Sequence, residues 1–146
     1  MPVAIFRQVV VDQIAEAVLS IGLSGPDTAY LRLFRNPAPL GIDAGKDATQ
    51  FDQPTGPGYG PLVLNPALWV QVVSTGGVSS WTYPALTFVF SPGGPGETIQ
   101  GFFLADHAGT EWTWAEELPG GPWAVPAGGG SYTIVLVFSD QRCVNP

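Results

Sequence analysis

The sequence has little of what chemistry at a protein site usually requires. Its 146 residues include one cysteine and one histidine. The single Cys143 excludes an intrachain disulfide, which fits synthesis in a cytoplasm. Because His107 stands alone and no second cysteine is present, no metal-ligand spacing can be assembled from the sequence. We therefore predict no metal site and no cofactor.

Charge is also scarce, and most of it is negative. Charged residues make up 12% of the chain, which is roughly half the usual share, and the formal net charge is −7. Only five residues are basic, and they are scattered: Arg7, Arg32, Arg35, Lys46 and Arg142. Nucleic-acid phosphates and anionic membranes bind clustered positive charge, so we predict that the chain binds neither.

Several sequence motifs are missing as well. No apolar run approaches the roughly 18 residues of a membrane span, and the first residues do not form a signal peptide. The glycine-rich stretch at 56–60 lacks the GxxxxGK[ST] pattern that holds phosphates. No serine stands in a GxSxG elbow, and the alternating aspartates of a calcium loop are absent. We predict that the protein is not an enzyme and has no catalytic residues.

Glycine, proline and aromatic residues are abundant, and they indicate many short strands between turns. Runs of strand type occur at 29–36, 62–65, 67–74, 82–91, 98–106, 110–118 and 131–139. Before them, Val10, Ile14, Ala17, Val18 and Ile21 form an apolar stripe that predicts one helix over about 9–21. The chain is expected to be one all-β domain over 1–146, a jelly-roll-like β-sandwich with one short N-terminal helix.

Two strand patterns allow finer predictions. The runs at 98–106 and 110–118 are joined by DHAG, which predicts a hairpin with Gly109 in the left-handed conformation. Simple alternation along the second arm places Trp112 and Trp114 on one face. The run at 131–139 is apolar on both faces, which predicts a central strand or one between two layers.

Residues 37–61 carry little periodic signal and are rich in proline and glycine. Loops of this length in compact domains are often functional or disordered. We predict a long surface excursion, and we take it as the candidate for contact with another subunit or a capsid.

The ionisable residues near the hairpin admit a catalytic interpretation that the sequence supports poorly. Glu111, Glu116 and Glu117 could include the acid and base of a glycosidase, and neighbouring tryptophans could stack on a sugar. Two carboxylates are a weak signature, so these residues are more simply solvent-facing acids. His107 is expected to be an exposed polar residue in the turn, since nothing in the sequence supplies it with a catalytic partner.

Many aromatic residues on a chain with little charge favour contact with another protein. We predict a homo-oligomer, with a trimer as one possibility. The candidate core or interface residues are Tyr30, Phe34, Phe51, Tyr59, Trp69, Trp81, Tyr83, Trp112 and Trp114.

The order of segments adds a resemblance. A leading helix is followed by YLRLFRN (30–36), FDQPTGPGYGPLVL (51–64), YPALTFVFS (83–91), TIQGFFLAD (98–106) and YTIVLVF (132–138). This order, over about residues 9–139, resembles a group of small tailed-phage virion proteins, the capsid decoration or cement proteins and similar accessory proteins. The resemblance implies a non-catalytic β-sandwich located in the virion, whose partner is the major capsid protein or another virion protein.

An alternative from another class is a carbohydrate- or receptor-binding module of a phage tail or fibre. It requires a row of aromatic rings exposed on one sheet face, with Trp112 and Trp114 turned to solvent.

Overall fold

The computed structural model describes residues 4–6, 29–37, 43, 45–73 and 79–139. The predicted helix over 9–21 lies outside these residues. The described residues form short antiparallel strands and two 3₁₀ turns, Ala48–Gln50 and Pro66–Leu68. The prediction of an all-β, sandwich-like chain is therefore confirmed at this level.

Twelve strands are present in the described residues. They are β1 (Ala4–Phe6), β2 (Tyr30–Phe34), β3 (Leu62–Val63), β4 (Val70–Val73), β5 (Ser79–Thr82), β6 (Leu86–Phe90), β7 (Thr98–Ile99), β8 (Gly101–Ala105), β9 (Trp112–Glu117), β10 (Trp123–Ala124), β11 (Gly130–Ile134) and β12 (Val137–Ser139). The number exceeds the seven runs read from the sequence partly because two of those runs are interrupted. The run at 98–106 breaks between β7 and β8, and the run at 131–139 breaks between β11 and β12.

The largest sheet has five strands in the order β1-β9-β8-β2-β3. Its centre is the predicted hairpin of β8 and β9, which turns through residues 106–111. Gly109 at the turn has a φ of 74°, as the DHAG sequence predicts. β2 pairs with the other edge of β8 along its whole length, from Tyr30 opposite Ala105 to Phe34 opposite Gly101.

A long ribbon forms much of the second layer. β6 pairs with β11, and β5 pairs with β12, so the chain from 79 to 90 lies antiparallel to the chain from 130 to 139. The register shifts by one residue between the two halves, where the N–H of Tyr83 donates to the carbonyl of Leu136 at 3.0 Å. β4 adds to the β5 half, while β7 and β10 pair separately.

The main core lies between the five-stranded sheet and the ribbon. Leu31, Leu33 and Leu104 contribute from the sheet, and Phe88 and Ile134 contribute from the ribbon. The predicted face of β6 is confirmed, since Phe88 and Phe90 are buried and Leu86 is half-buried. Burial of such side chains is the dominant favourable term in folding.

The opposite face of the five-stranded sheet is buried too. A second cluster there contains Phe34, Ala48, Phe51, Phe103, Ala105, Trp112 and Ala115. Phe51 stacks on Phe103 with ring centroids 4.1 Å apart, and it meets Trp112 edge-on at 5.1 Å. The apolar side chains on both faces of the sheet must therefore be shielded from water, and residues 48–51 shield part of the second face.

A β-bulge separates the two tryptophans of β9, and the prediction that they share a face is wrong. Leu104 pairs with Trp114, but Ala105 pairs with Trp112, so β9 has one extra residue, Thr113, between the two pairs. Trp112 consequently joins the second cluster, whereas Trp114 joins the main core.

The segment 131–139 also differs from its prediction. Within the described ranges β11 pairs only with β6, and β12 pairs only with β5. Val135 and Val137 are 54% and 39% exposed, so the second apolar face that suggested a central strand is open to solvent. Among the described strands, β11 and β12 thus each have one neighbour, and their outward side is unusually apolar.

Gly101 gives a direct test of the packing in the five-stranded sheet. It lies opposite Phe34, and a methyl group added to it would collide with the Phe34 ring and with the carbonyl oxygen of Glu116. We expect Gly101→Ala to lower the free energy of unfolding by about 1–3 kcal/mol, because the core must shift to admit the methyl. Urea denaturation measures the loss.

Gly120→Ala is the matched control for that substitution. No atom lies within 4 Å of a methyl group added there. Its effect is expected to stay within about 0.5 kcal/mol. Equal stability of the two variants would show that Phe34 does not pack against Gly101 as described.

Candidate functional site

One carboxylate of the described chain, Glu97, is buried and bonded to both a cation and the backbone. Glu97 has only 3% of its side chain exposed, and its Oε1 accepts from Arg35 Nη1 at 2.7 Å. Oε1 also accepts from the N–H of Thr55 at 2.6 Å, and Oε2 accepts from the N–H of Gly56 at 2.9 Å. Arg35 in turn binds Asp52 at 2.7 Å. We call these five residues the Glu97 cluster.

The Glu97 cluster holds a loop rather than a ligand. Its donors Thr55 and Gly56 belong to the proline- and glycine-rich excursion, and Arg35 directly follows β2. Each oxygen of Glu97 is bonded within the chain, which is what a buried charge requires. The arrangement therefore fixes residues 52–56 against the end of β2.

The pKa of Glu97 reflects two opposed causes. Burial alone would raise the pKa of this carboxyl, because burial disfavours the charged form. The N–H groups of Thr55 and Gly56, the Thr55 hydroxyl and the Arg35 guanidinium stabilise the charged form and lower the pKa below its ordinary value. Glu97 is therefore an ionised, structural carboxylate near neutral pH.

Two further contacts fasten the excursion to the second face of the sheet. The indole N–H of Trp112 donates to the carbonyl of Lys46 at 2.8 Å, and the N–H of Ala48 donates to the carbonyl of Thr110 at 2.7 Å. At its far end, the Tyr59 hydroxyl accepts from the N–H of Leu33 at 3.1 Å. The surface excursion predicted over 37–61 is thus, over 45–59, a packed part of the fold.

Arg32 fastens the hairpin tip. The side chain is largely buried, and its Nη2 donates to the carbonyls of Asp106 at 3.2 Å and His107 at 2.8 Å. His107 is exposed, as predicted for a turn residue, and its ring lies 5.1 Å from that of Tyr30. The Asp106 carboxylate also holds the tip, since its Oδ1 accepts from the N–H of Thr110 at 2.8 Å and its Oδ2 accepts from the Thr110 hydroxyl at 2.9 Å.

The structure distributes the nine aromatic candidates between the two cores and their margins. Phe34, Phe51, Trp81, Tyr83, Trp112 and Trp114 are buried within the chain, and Tyr30, Tyr59 and Trp69 are half-buried. Burial inside one chain accounts for the first six without a partner. The carbohydrate-binding alternative requires Trp112 and Trp114 to be exposed, but their exposed fractions are 0% and 1%.

One surface feature that sequence reasoning missed is an uncharged sheet face. The outward face of the β6–β11 ribbon consists of Thr87, Val89, Ser131 and Thr133, all exposed and uncharged. The Thr87 and Thr133 hydroxyls share a hydrogen bond at 2.8 Å across the two strands. The sequence predicted which residues of β6 are buried. The pairing of β6 with β11 shows in addition that Ser131 and Thr133 extend the uncharged face beside Thr87 and Val89.

A groove lies beside this ribbon and encloses about 350 Å³. One wall is the chain from β11 into β12, through Tyr132, Thr133, Ile134, Val135 and Val137. The other wall consists of Phe102 and Glu116 of the five-stranded sheet and of Pro119, which follows β9. The groove is mainly apolar, so a partner that fills it is expected to be apolar as well.

Of the three acids considered for glycoside chemistry, Glu116 lines the groove. Glu111 is exposed after the hairpin turn, while Glu116 and Glu117 are half-buried in β9. Among the described residues, no group of three or more His, Cys, Asp or Glu side chains is placed to hold a metal ion. None of the helical segments in that part of the chain is long and apolar enough to cross a membrane.

Replacing Glu97 tests the structural role of the cluster. We expect Glu97→Gln to lower the free energy of unfolding by about 2–3 kcal/mol, because a carboxamide has one acceptor oxygen and leaves a buried N–H facing another donor. Chemical denaturation measures the change. Asp52→Asn is the control: its side chain is 60% exposed, so a loss below about 1 kcal/mol is expected. A larger loss from the Asp52 variant would contradict this ranking.

The lowered pKa of Glu97 also predicts a pH dependence. The unfolded chain binds the Glu97 proton more readily than the folded chain, so the contribution of this residue is present above its ordinary pKa of 4.5 and is lost as pH falls through that value toward the lower folded pKa. The stability difference between the wild type and Glu97→Gln should therefore shrink between about pH 5 and pH 3. A difference that is constant over this range would refute the assignment.

Comparison of the chain with protein-family models, with curated proteins and with solved structures gave no match in any of the three. The function must therefore be inferred from the residues themselves. The Glu97 cluster and Arg32 serve the fold. Among the described residues, the uncharged ribbon face and the apolar groove are candidate functional surfaces.

Proposed function

We propose that this protein is a non-enzymatic structural component of a tailed-phage virion, most specifically a capsid decoration protein that stabilises the shell as a homo-oligomer. Its partner would be the major capsid protein or another virion protein. The jelly-roll arrangement of the sandwich is part of the same proposal. The sequence resemblance motivates the proposal, and the surface chemistry of the described residues supports it.

The observation that carries the proposal is the outward face of the β6–β11 ribbon. Val89 is 59% exposed at its centre, and the neighbouring Thr87, Ser131 and Thr133 bring no charge. On a chain with a net charge of −7, an uncharged and partly apolar sheet face has a low desolvation cost. Such faces favour contact with another protein.

The use of the ionisable side chains agrees with a structural role. Arg32, Arg35 and Glu97 bond to segments of their own chain. These groups hold the hairpin tip and the 45–59 segment in place. A rigid outer surface of this kind suits a protein that binds a shell without rearrangement.

The excursion over 37–61 needs a revised role in this proposal. Deleting residues 43–57 would remove Ala48 and Phe51 from the second cluster and the two N–H donors of Glu97. The deletion would thus report on folding and not on particle binding. Substitutions at exposed positions of the ribbon face are the appropriate test.

The structural requirement of the carbohydrate-binding alternative is not met. It required Trp112 and Trp114 to form an exposed row, and both rings are buried on opposite faces of the sheet.

Particles purified from a culture that produces the chain test the proposal. We expect the chain in the purified particles at a fixed, high copy number relative to the major capsid protein, as measured by quantitative mass spectrometry. Particles that lack the chain should release their DNA at a lower temperature, and added purified chain should restore the difference.

Val89→Lys provides the surface variant for the same assay. The residue is exposed, so the substitution is expected to leave the fold intact, yet it places a charge at the centre of the ribbon face. It should bind particles at least tenfold more weakly than the wild type, whereas Val63→Lys, which is 56% exposed on β3, should not. Absence of the chain from purified particles would reject the proposed function.

A further inference from the structure

The groove beside the β6–β11 ribbon has one charged residue in its lining. Glu116, half-buried in β9, is the only charged side chain among the described residues that line it. The rest of the lining is uncharged and mainly apolar, with Tyr132, Val135 and Val137 on one side and Phe102 on the other. The carboxylate of Glu116 therefore determines which sign of charge a ligand in this groove can carry.

The size of the groove limits what can occupy it. Its volume of about 350 Å³ lies at the lower end of the range for ligand sites, which is roughly 300–1,000 Å³. Stable contacts between folded proteins usually bury about 800 Å² per partner, which is a much larger surface than a groove of this volume offers. A short segment that inserts a few side chains is the occupant that fits.

A basic side chain matches both parts of the lining. Lysine and arginine have an apolar stem and a charged head, so the stem can pack on Val135 and Val137 while the head lies beside the carboxylate of Glu116. Tyr132 adds an aromatic ring to the same lining, which favours the planar guanidinium of arginine over the ammonium of lysine. An acidic segment would instead be repelled by Glu116.

We propose that this groove binds a short apolar segment of another protein that carries an arginine or a lysine, with the basic head group against Glu116. Charge complementarity selects this occupant, because a chain with a net charge of −7 attracts a basic segment from a distance and repels a second copy of itself. The proposal goes beyond the shell contact assigned to the ribbon face and does not depend on it.

Selection from a library of random short peptides by the immobilised full chain tests the proposal. The enriched peptides should combine apolar residues with at least one arginine or lysine. Synthetic copies should bind with a dissociation constant on the order of 100 μM, as measured by fluorescence polarisation, because the contact is small. Replacing the basic residue of the peptide by glutamine should weaken binding about fivefold, which is the size of a partly exposed ion pair.

Substitutions in the chain locate the site of binding. Val135 is 54% exposed and lines the groove, so Val135→Lys places a cation there and should weaken the binding of basic peptides about tenfold. Glu116→Gln should abolish the preference for the basic peptide over its glutamine analogue. Val89→Lys is the matched control: it changes the net charge equally, lies on the ribbon face outside the groove lining, and should bind as the wild type does.

Several results would overturn the proposal. It is wrong if no peptide is enriched, if the enriched peptides lack basic residues, or if Val135→Lys binds them as tightly as the wild type does. Nuclear Overhauser contacts to Val135 from another segment of the chain or from a second copy, in the protein without peptide, would also refute it.

Two further measurements keep these outcomes interpretable. Circular dichroism and thermal melting establish that each variant is folded, and the exposed Val135→Lys keeps the test decisive if Glu116→Gln does not fold. Failure here is separable from failure of the proposed function, because particle binding that is lost in Val89→Lys reports on the ribbon face and not on the groove.

Discussion

The five-stranded sheet is apolar on both faces, and most other features of the described chain follow from this constraint. Leu31 and Leu104 face the main core, while Phe34 and Phe103 face the second cluster. A sheet of this kind is stable only when each face is covered, because every exposed apolar side chain forfeits the free energy of its burial. The ribbon of β5, β6, β11 and β12 covers one face, and the 45–59 segment contributes to covering the other.

The need for a second cover explains where the few charges of the interior are used. A proline- and glycine-rich segment has no ladder of its own hydrogen bonds, so it must be attached by side chains and isolated backbone contacts. Glu97 and Arg35 provide the ionic attachment, and Trp112 and Tyr59 provide hydrogen bonds at the two ends. The chain has few charged residues, and two of them, Glu97 and Arg35, bond separate segments of the chain to each other.

The division of roles among the surfaces follows from the same architecture. The ribbon has one face in the main core, and its other face is exposed at Thr87, Val89, Ser131 and Thr133. The proposed shell contact uses this exposed face, which carries no charge.

The sequence by itself determined the strand content, the hairpin at 98–118 and the turn at Gly109, because local alternation and turn chemistry act over a few residues. Burial of the nine aromatic candidates could be anticipated only in part, since composition does not say which residues meet.

Tertiary structure decided the rest. A one-residue bulge at Thr113 separated Trp112 from Trp114, and in the run 131–139, which is apolar on both faces, Val135 and Val137 were left exposed. Glu97, far from Arg35 and Gly56 in sequence, meets them only because β2, the 45–59 segment and the chain before β7 converge in space. Such contacts depend on which strands pair, and that choice is made by the whole core at once rather than by any local pattern.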